Sequence, residues 1–122
     1  MDKSRRKELV NESARKLSAQ MGVYQIKNNA NGKIYLGSSS NPDTKLLVRK
    51  GELQGGNFFI RELQEDWKKF GEENFSFEVL ERLEPKDGQS MADNTEDLQA
   101  LLELLLEKLQ PYGERGYHKK KN

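Results

Sequence analysis

The sequence predicts a small α/β domain of the α+β type, in which helices flank a three-stranded, mostly antiparallel sheet. Two strand-like runs surround Asn31-Gly32, a helical apolar stripe runs through residues 60–70, and apolar and polar residues alternate over 75–80. The chain has 122 residues, which is the size of one domain with a modest core. We therefore expect one compact unit built around a short sheet.

Residues 22–38 form the predicted β-hairpin. Asn31-Gly32 is a strong hairpin signal because both residues tolerate the positive φ of a type I′ turn, and we expect a loop of two or four residues. With an even loop length, the numbers of paired residues sum to an odd value, so Tyr24 and Tyr35 project from the same face. Two phenols on one face either share a site or form a stabilising cross-strand contact.

Three of the predicted helices precede the last strand. The first covers residues 3 to about 19 and is expected to pack on the sheet as an N-terminal segment, residues 1–21. The second begins at Asn41-Pro42-Asp43, a helix entry signal, and ends by Gly55-Gly56. The third runs to Gly71, and its apolar residues recur at helical spacing: Ile60, Leu63, Trp67 and Phe70.

The last part of the chain predicts a strand, a connector and a final helix. Phe75, Phe77 and Val79 alternate with other residues as in a strand with one buried face, and residues 84–94 read as a polar connector. A helix follows from about 95 to 110, before Pro111 breaks it. Its seven leucines between residues 98 and 109 cover a broad arc, which predicts core packing or, as a further hypothesis, homodimerisation through this helix.

Composition excludes several classes of protein. Charged and hydrophobic residues each make up 34% of the chain, and no run of eighteen apolar residues occurs, so we expect a cytoplasmic protein without a membrane span or secretory signal. The absence of cysteine excludes disulfides, thiolate metal sites and thiol nucleophiles. The net charge of +1 lacks the basic surplus of a dedicated nucleic-acid binder, although basic residues concentrate at both ends, including an expected basic tail at 118–122.

The two tyrosines belong to the triplets Gly22-Val23-Tyr24 and Tyr35-Leu36-Gly37, which resemble the paired signature of GIY-YIG nucleases. The resemblance extends to Gly116-Tyr117, so residues 22–117 are interpreted as one GIY-YIG-like domain. It implies a metal-dependent endonuclease that hydrolyses phosphodiesters, with Mg²⁺ or Mn²⁺ as cofactor and DNA or RNA as partner.

The resemblance also assigns candidate catalytic residues. Tyr24 and Tyr35 would position and deprotonate the water, and Gly22 and Gly37 complete the structural motif. An arginine that steadies the phosphate is expected ten residues after Tyr35, where this chain has Lys45. Because lysine lacks the bidentate fork of arginine, Arg49, one helical turn later, is the second candidate.

The expected metal ligand departs from the family pattern. With Leu106-Glu107-Lys108-Leu109 as anchor, the position of the family's glutamate falls on Leu102. The neighbouring Glu103 is the candidate ligand only if the register shifts by one residue, because it lies in the middle of the polar face of the helix. A histidine found in many relatives corresponds to Phe58. The candidate nucleic-acid contacts are Lys33, Lys50, His118 and Lys119. Of these, His118 is expected to lie in an exposed tail.

These observations leave three functions open. The first is a nucleic-acid-binding domain with a nuclease fold and weakened or lost activity, because fold alone does not confer catalysis. The second is an active, divalent-metal-dependent endonuclease that uses Tyr24, Tyr35, Lys45 or Arg49, and Glu103. The third is a protein interaction module that uses the leucine-rich C-terminal helix.

Overall fold

The computed structural model describes residues 21–84 and 91–119, with the side chains of the last helix described from residue 94 onward. The predicted N-terminal helix, most of the connector and residues 120–122 lie outside the described residues. Short 3₁₀ turns occur at Glu72–Asn74 and Gly113–Arg115. Among the described residues, no helix combines the length and apolarity needed to cross a bilayer. The elements are β1 (Met21–Asn28), β2 (Ile34–Ser39), α1 (Pro42–Gly55), α2 (Arg61–Phe70), β3 (Phe75–Leu83) and α3 (Met91–Leu109).

The three strands form one antiparallel sheet in the order β2-β1-β3, which confirms the predicted fold class. Because β1 is central, its side chains Val23 and Ile26 are fully buried on opposite faces. α1 and α2 pack over the face that carries the two tyrosines, and α3 covers the other face. The core around the tyrosines contains Leu53, Phe58, Leu63, Trp67, Phe75 and Tyr117.

The hairpin register places both tyrosines on one face, as predicted. Tyr24 pairs with Gly37, and Ile26 pairs with Tyr35. The turn differs from the predicted type I′ turn, because the amide of Asn28 donates to the carbonyl of Lys33 at 2.9 Å and closes a four-residue loop. Only Gly32 in that loop has a positive φ, 80°, so a type I′ turn at Asn31-Gly32 is wrong. The longer loop needs only one left-handed residue.

The helix boundaries around α1 follow the predicted signals. The side chain of Asn41 accepts a hydrogen bond from the amide of Thr44 at 3.3 Å, and Pro42 opens the helix. Gly56 closes it in the left-handed conformation, with φ of 79°. α1 therefore continues through Gly51, and it carries Arg49 on its inner side near β1.

The final helix begins earlier than predicted, at Met91 instead of about residue 95. Leu98 and Leu105 are buried against β1 and β2, while Leu104 is exposed. Most of the apolar arc is therefore used inside the domain, and the structure gives no support to homodimerisation through this helix. The leucines that are partly buried against the same core are Leu101, Leu102, Leu106 and Leu109.

After α3, the chain turns back and runs along the outer edge of β2. The amide of Tyr117 donates to the carbonyl of Ile34 at 2.9 Å, and the amide of Leu36 donates to Nε2 of His118 at 2.8 Å. This segment covers the otherwise unpaired edge of the sheet. The prediction that His118 starts an exposed tail is wrong for that residue, because its ring is held against β2.

Substituting Gly37 tests the packing under Tyr24. A Cβ on Gly37 would overlap the hydroxyl and the ring of Tyr24, which is buried and has little room to move. We expect Gly37→Ala to lower the free energy of unfolding by about 1–3 kcal/mol, as overpacking does, measured by chemical denaturation.

Gly51→Ala is the matched control for this substitution. Gly51 lies inside α1, and a Cβ there meets no atom within 4 Å. Because glycine is unfavourable in a helix interior, the free energy of unfolding of Gly51→Ala should be higher than that of the native protein by roughly 0.5–1 kcal/mol. Equal stability of Gly37→Ala and the native protein would contradict the packing described here.

Candidate active site

A cavity of about 980 Å³ lies where the hairpin, α1, the start of α2, α3 and the C-terminal segment meet. Its wall combines phenols, cations and apolar side chains from elements that are far apart in sequence. The side chains that line it include Tyr24, Tyr35, Arg49, Phe59, Leu102 and His118.

The two tyrosines share this wall. Tyr24 is 1% exposed, lies over Gly37, and its hydroxyl accepts a hydrogen bond from Nε of Arg49 at 3.2 Å. The ring centroids of Tyr24 and Tyr35 are 6.3 Å apart. Burial raises the pKa of the Tyr35 phenol, and the nearby Tyr24 hydroxyl raises that pKa further. The raised pKa favours the neutral phenol of Tyr35, which can take part in hydrogen bonds and ring contacts.

Arg49 supplies a fixed positive charge beside the phenols. Its side chain is 17% exposed, and Nη1 donates to Oε1 of Glu52 at 2.9 Å. Burial lowers the pKa of the Arg49 guanidinium, but hydrogen bonds to Tyr24 and Glu52 outweigh it and hold that pKa above its usual range. Lys45, the alternative candidate, lies in the first turn of α1 and does not line the cavity. The structure therefore brings Arg49, not Lys45, to the tyrosines.

His118 lines the cavity next to Tyr35. Its ring stacks on Tyr35 with centroids 5.0 Å apart and planes within 10°. Because Nε2 accepts the Leu36 amide, the neutral ring carries its proton on Nδ1. Burial lowers the pKa of His118 from its ordinary value of 6.5. Lys119 follows at the cavity edge.

The carboxylates do not gather around the tyrosines. Leu102 lines the cavity, while Glu103 is exposed, accepts a hydrogen bond from Gln99 at 3.4 Å and lines a smaller neighbouring cavity. Glu62 lines the main cavity, but Nζ of Lys33 lies 2.9 Å from its carboxylate.

A divalent cation needs several oxygen ligands, usually including carboxylates. Within residues 21–84 and 91–119, no three His, Cys, Asp or Glu side chains are grouped so that they could hold a metal ion. At the tyrosines, Leu102 stands where the resemblance predicts the metal-holding glutamate, so this position offers no ligand to the divalent metal that the fold family generally uses.

The remaining predicted site residues lie elsewhere. Lys50 lies 3.5 Å from the carboxylate of Glu72 and over the ring of Phe77, away from the cavity. Gly22 is packed tightly, because a Cβ there would lie 2.5 Å from the carbonyl oxygen of Glu81. Gly22 therefore allows β1 and β3 to approach each other closely.

Two aromatic side chains that shape the site were not predicted from the sequence. Phe59 lies at the cavity rim with most of its ring exposed. Tyr117 anchors the C-terminal segment, because its hydroxyl accepts from Asn28 at 3.1 Å and donates to Asp66 at 2.8 Å. The Phe58-Phe59 pair just before a helix was an available signal, but nothing in the sequence says which of the two rings is buried.

The lowered pKa of His118 predicts a pH dependence of stability. As the pH falls below 6.5, the unfolded chain takes up a proton on this histidine before the folded protein does, so the free energy of unfolding decreases. His118 is the single histidine of the chain, so its NMR titration is unambiguous and should give a pKa below 6.5. In His118→Gln, the loss of stability between about pH 7 and pH 5 should be smaller. A titration midpoint at or above the ordinary value would contradict this burial.

Two solved structures resemble this fold. The catalytic domain of the homing endonuclease I-TevI matches with a TM-score of 0.66 at 23% identity, over 83% of this chain and 99% of that domain. A glutamate-to-alanine mutant of the same domain matches with a TM-score of 0.65 at 23% identity, over 81% of this chain and 92% of that one. Neither a protein-family model nor a curated protein matches the sequence. The chain therefore has the GIY-YIG nuclease fold that its two tyrosine triplets predict.

Proposed function

We propose that this domain binds nucleic acid at the cavity of Tyr24 and Tyr35 and that its phosphodiester cleavage is weakened or lost. The observation that carries the proposal is that Leu102 lines this cavity while Glu103 lies outside it. The fold is that of an endonuclease catalytic domain, which makes nucleic acid the expected ligand class.

Loss of cleavage follows from the chemistry of the wall. Phosphodiester hydrolysis needs a deprotonated nucleophile and stabilisation of the charge that develops on the phosphate. Leu102 offers no metal ligand, and the raised pKa of Tyr35 keeps that phenol protonated. Arg49 remains as a source of charge, but one cation without a metal beside it supplies binding more than rate.

Nucleic-acid binding follows from the cations that remain. Arg49, Arg61 and Lys119 line the cavity. The carboxylate of Glu62 at the cavity is already close to Lys33, whereas Arg49 pairs with Glu52 and the exposed Arg61 pairs with the exposed Glu65. Exposed pairs of this kind are weak, and phosphates compete for their cations.

Introducing a carboxylate at position 102 tests the first half of the proposal. We expect the native protein to leave supercoiled plasmid, single-stranded DNA and RNA intact in the presence of Mg²⁺ or Mn²⁺. Leu102→Glu places an acid in the cavity wall and should raise the affinity for Mn²⁺ by about tenfold or more, which is ~1.4 kcal/mol. Isothermal titration calorimetry measures this affinity, and circular dichroism checks the fold.

Glu103→Gln is the matched control, because its carboxylate is exposed outside the cavity. It should change neither Mn²⁺ affinity nor the absence of cleavage. Metal-dependent cleavage by the native protein that Glu103→Gln or Tyr24→Phe abolishes would overturn the proposal and establish an active endonuclease.

Removing the charge of Arg49 tests the second half. Arg49→Gln should weaken nucleic-acid binding and reduce the slope of log K against log salt by about one, as the loss of one phosphate contact does. Arg82→Gln is the matched control, because Arg82 lies on β3 at the other edge of the sheet and pairs with Asp43 at 2.8 Å. Fluorescence anisotropy over a salt series measures both variants, and equal slopes for them would contradict a phosphate site at the tyrosines.

A further inference from the structure

Phe59 is a large apolar side chain that the fold leaves in solvent. It is 61% exposed, although it lies at the rim of a cavity. Burying a phenylalanine side chain stabilises a fold, and most of that stabilisation is not realised here. An exposed ring beside a cavity is informative because it is available to a ligand.

The Phe59 ring is nevertheless held in place. Its centroid lies 4.8 Å from that of Phe58, with an interplanar angle of 26°, and 5.9 Å from that of Tyr35 in an edge arrangement. The guanidinium carbon of Arg49 lies 4.8 Å from its centroid. These contacts fix the ring without covering it. Because the side chain is already ordered in the free protein, a ligand that binds to it loses little side-chain conformational entropy.

One cation contacts this ring, and a second lines the same cavity. Arg49 lies over the ring, and the side chain of Arg61, two residues further on, is 91% exposed. Arg61 makes an exposed pair with Glu65 at 3.1 Å, which competes weakly with a phosphate. An aromatic surface flanked by arginines is the combination that single-stranded nucleic acids bind, with bases on the rings and phosphates on the cations.

We propose that the cavity takes a single strand of nucleic acid and that one of its unpaired bases stacks on Phe59. This inference rests on the proposed nucleic-acid binding and names its substrate class. In a duplex, both faces of an internal base are covered by its neighbours, so the ring can be used only by an unpaired base. DNA and RNA present the same base faces, so both should bind.

The test compares strands at one salt concentration by fluorescence anisotropy. The probes are oligothymidylate and oligouridylate of about twelve nucleotides, the length that one small domain covers, a mixed-sequence duplex, and an abasic strand of the same length. The native protein should bind the two single strands more tightly than the duplex. Phe59→Ala should weaken binding to both single strands by about fivefold to a hundredfold, the range found for loss of one stacked base, and leave duplex binding unchanged.

Two controls separate stacking from loss of apolar surface. Leu104 is also 61% exposed but does not line the cavity, so Leu104→Ala should bind like the native protein. Phe59→Trp keeps an aromatic surface and should retain affinity for single strands. On the abasic strand, Phe59→Ala and the native protein should bind equally, because the phosphates are present and the bases are absent.

The outcomes that overturn the inference can be told apart from failure of the proposed function. If Phe59→Ala has no effect on single strands while Arg49→Gln still weakens binding, stacking is wrong and nucleic-acid binding stands. Equal loss of affinity on the abasic strand likewise contradicts stacking. If none of the probes binds, both proposals fail together.

Discussion

The contact of the Tyr24 ring with Gly37 across the β1–β2 pair is the constraint on which the rest of the site depends. Any side chain at position 37 would occupy the place of the phenol, so glycine allows the ring to lie flat and buried over the partner strand. This position aims the hydroxyl at Arg49 on α1 and leaves Tyr35 beside it on the same face. The pairing of Gly37 with Tyr24 in the hairpin therefore sets where the Tyr24 hydroxyl meets Arg49 of α1.

The C-terminal segment, which the edge of β2 holds, also lines the cavity. Tyr117 and His118 use the free hydrogen-bonding groups of β2, and Tyr117 is further tied to Asn28 and Asp66. α3 contributes Leu102 to the lining of the cavity. The neutral rings, Leu102 and Arg49 that line the cavity favour binding of an anionic ligand that carries nucleobases. Hydrolysis requires a redistribution of charge in the transition state that these groups do not support.

The sequence was most informative where a local pattern decided the structure. The period of two and the even loop placed Tyr24 and Tyr35 on one face, and Asn41, Pro42 and Gly71 marked helix ends through capping chemistry. Helical spacing along α3 predicts different surroundings for Leu102 and Glu103, and Leu102 lines the main cavity whereas Glu103 lines the smaller neighbouring one. In each case, neighbours within a few residues determined the outcome.

Sequence reasoning failed where distant segments meet. His118 looked like part of a solvated tail because its neighbours are lysines, but the edge of β2, more than eighty residues away in the chain, holds it. Residue spacing left both Lys45 and Arg49 as candidates, and only the packing of α1 on the hairpin shows that Arg49 reaches Tyr24. The exposure of Phe59 beside a buried Phe58 similarly depends on how the loop before α2 packs on Tyr35.

The most direct test of a cavity without a metal-holding acid is an NMR titration of ¹⁵N-labelled protein with Mn²⁺, whose paramagnetism broadens nearby amide signals. We expect the amides of Tyr24, Tyr35 and Gly37 to broaden no more than those of exposed acidic surfaces such as Glu103 and Glu107. Selective broadening of the three hairpin amides at low Mn²⁺ concentration would place a metal beside the phenols and contradict it.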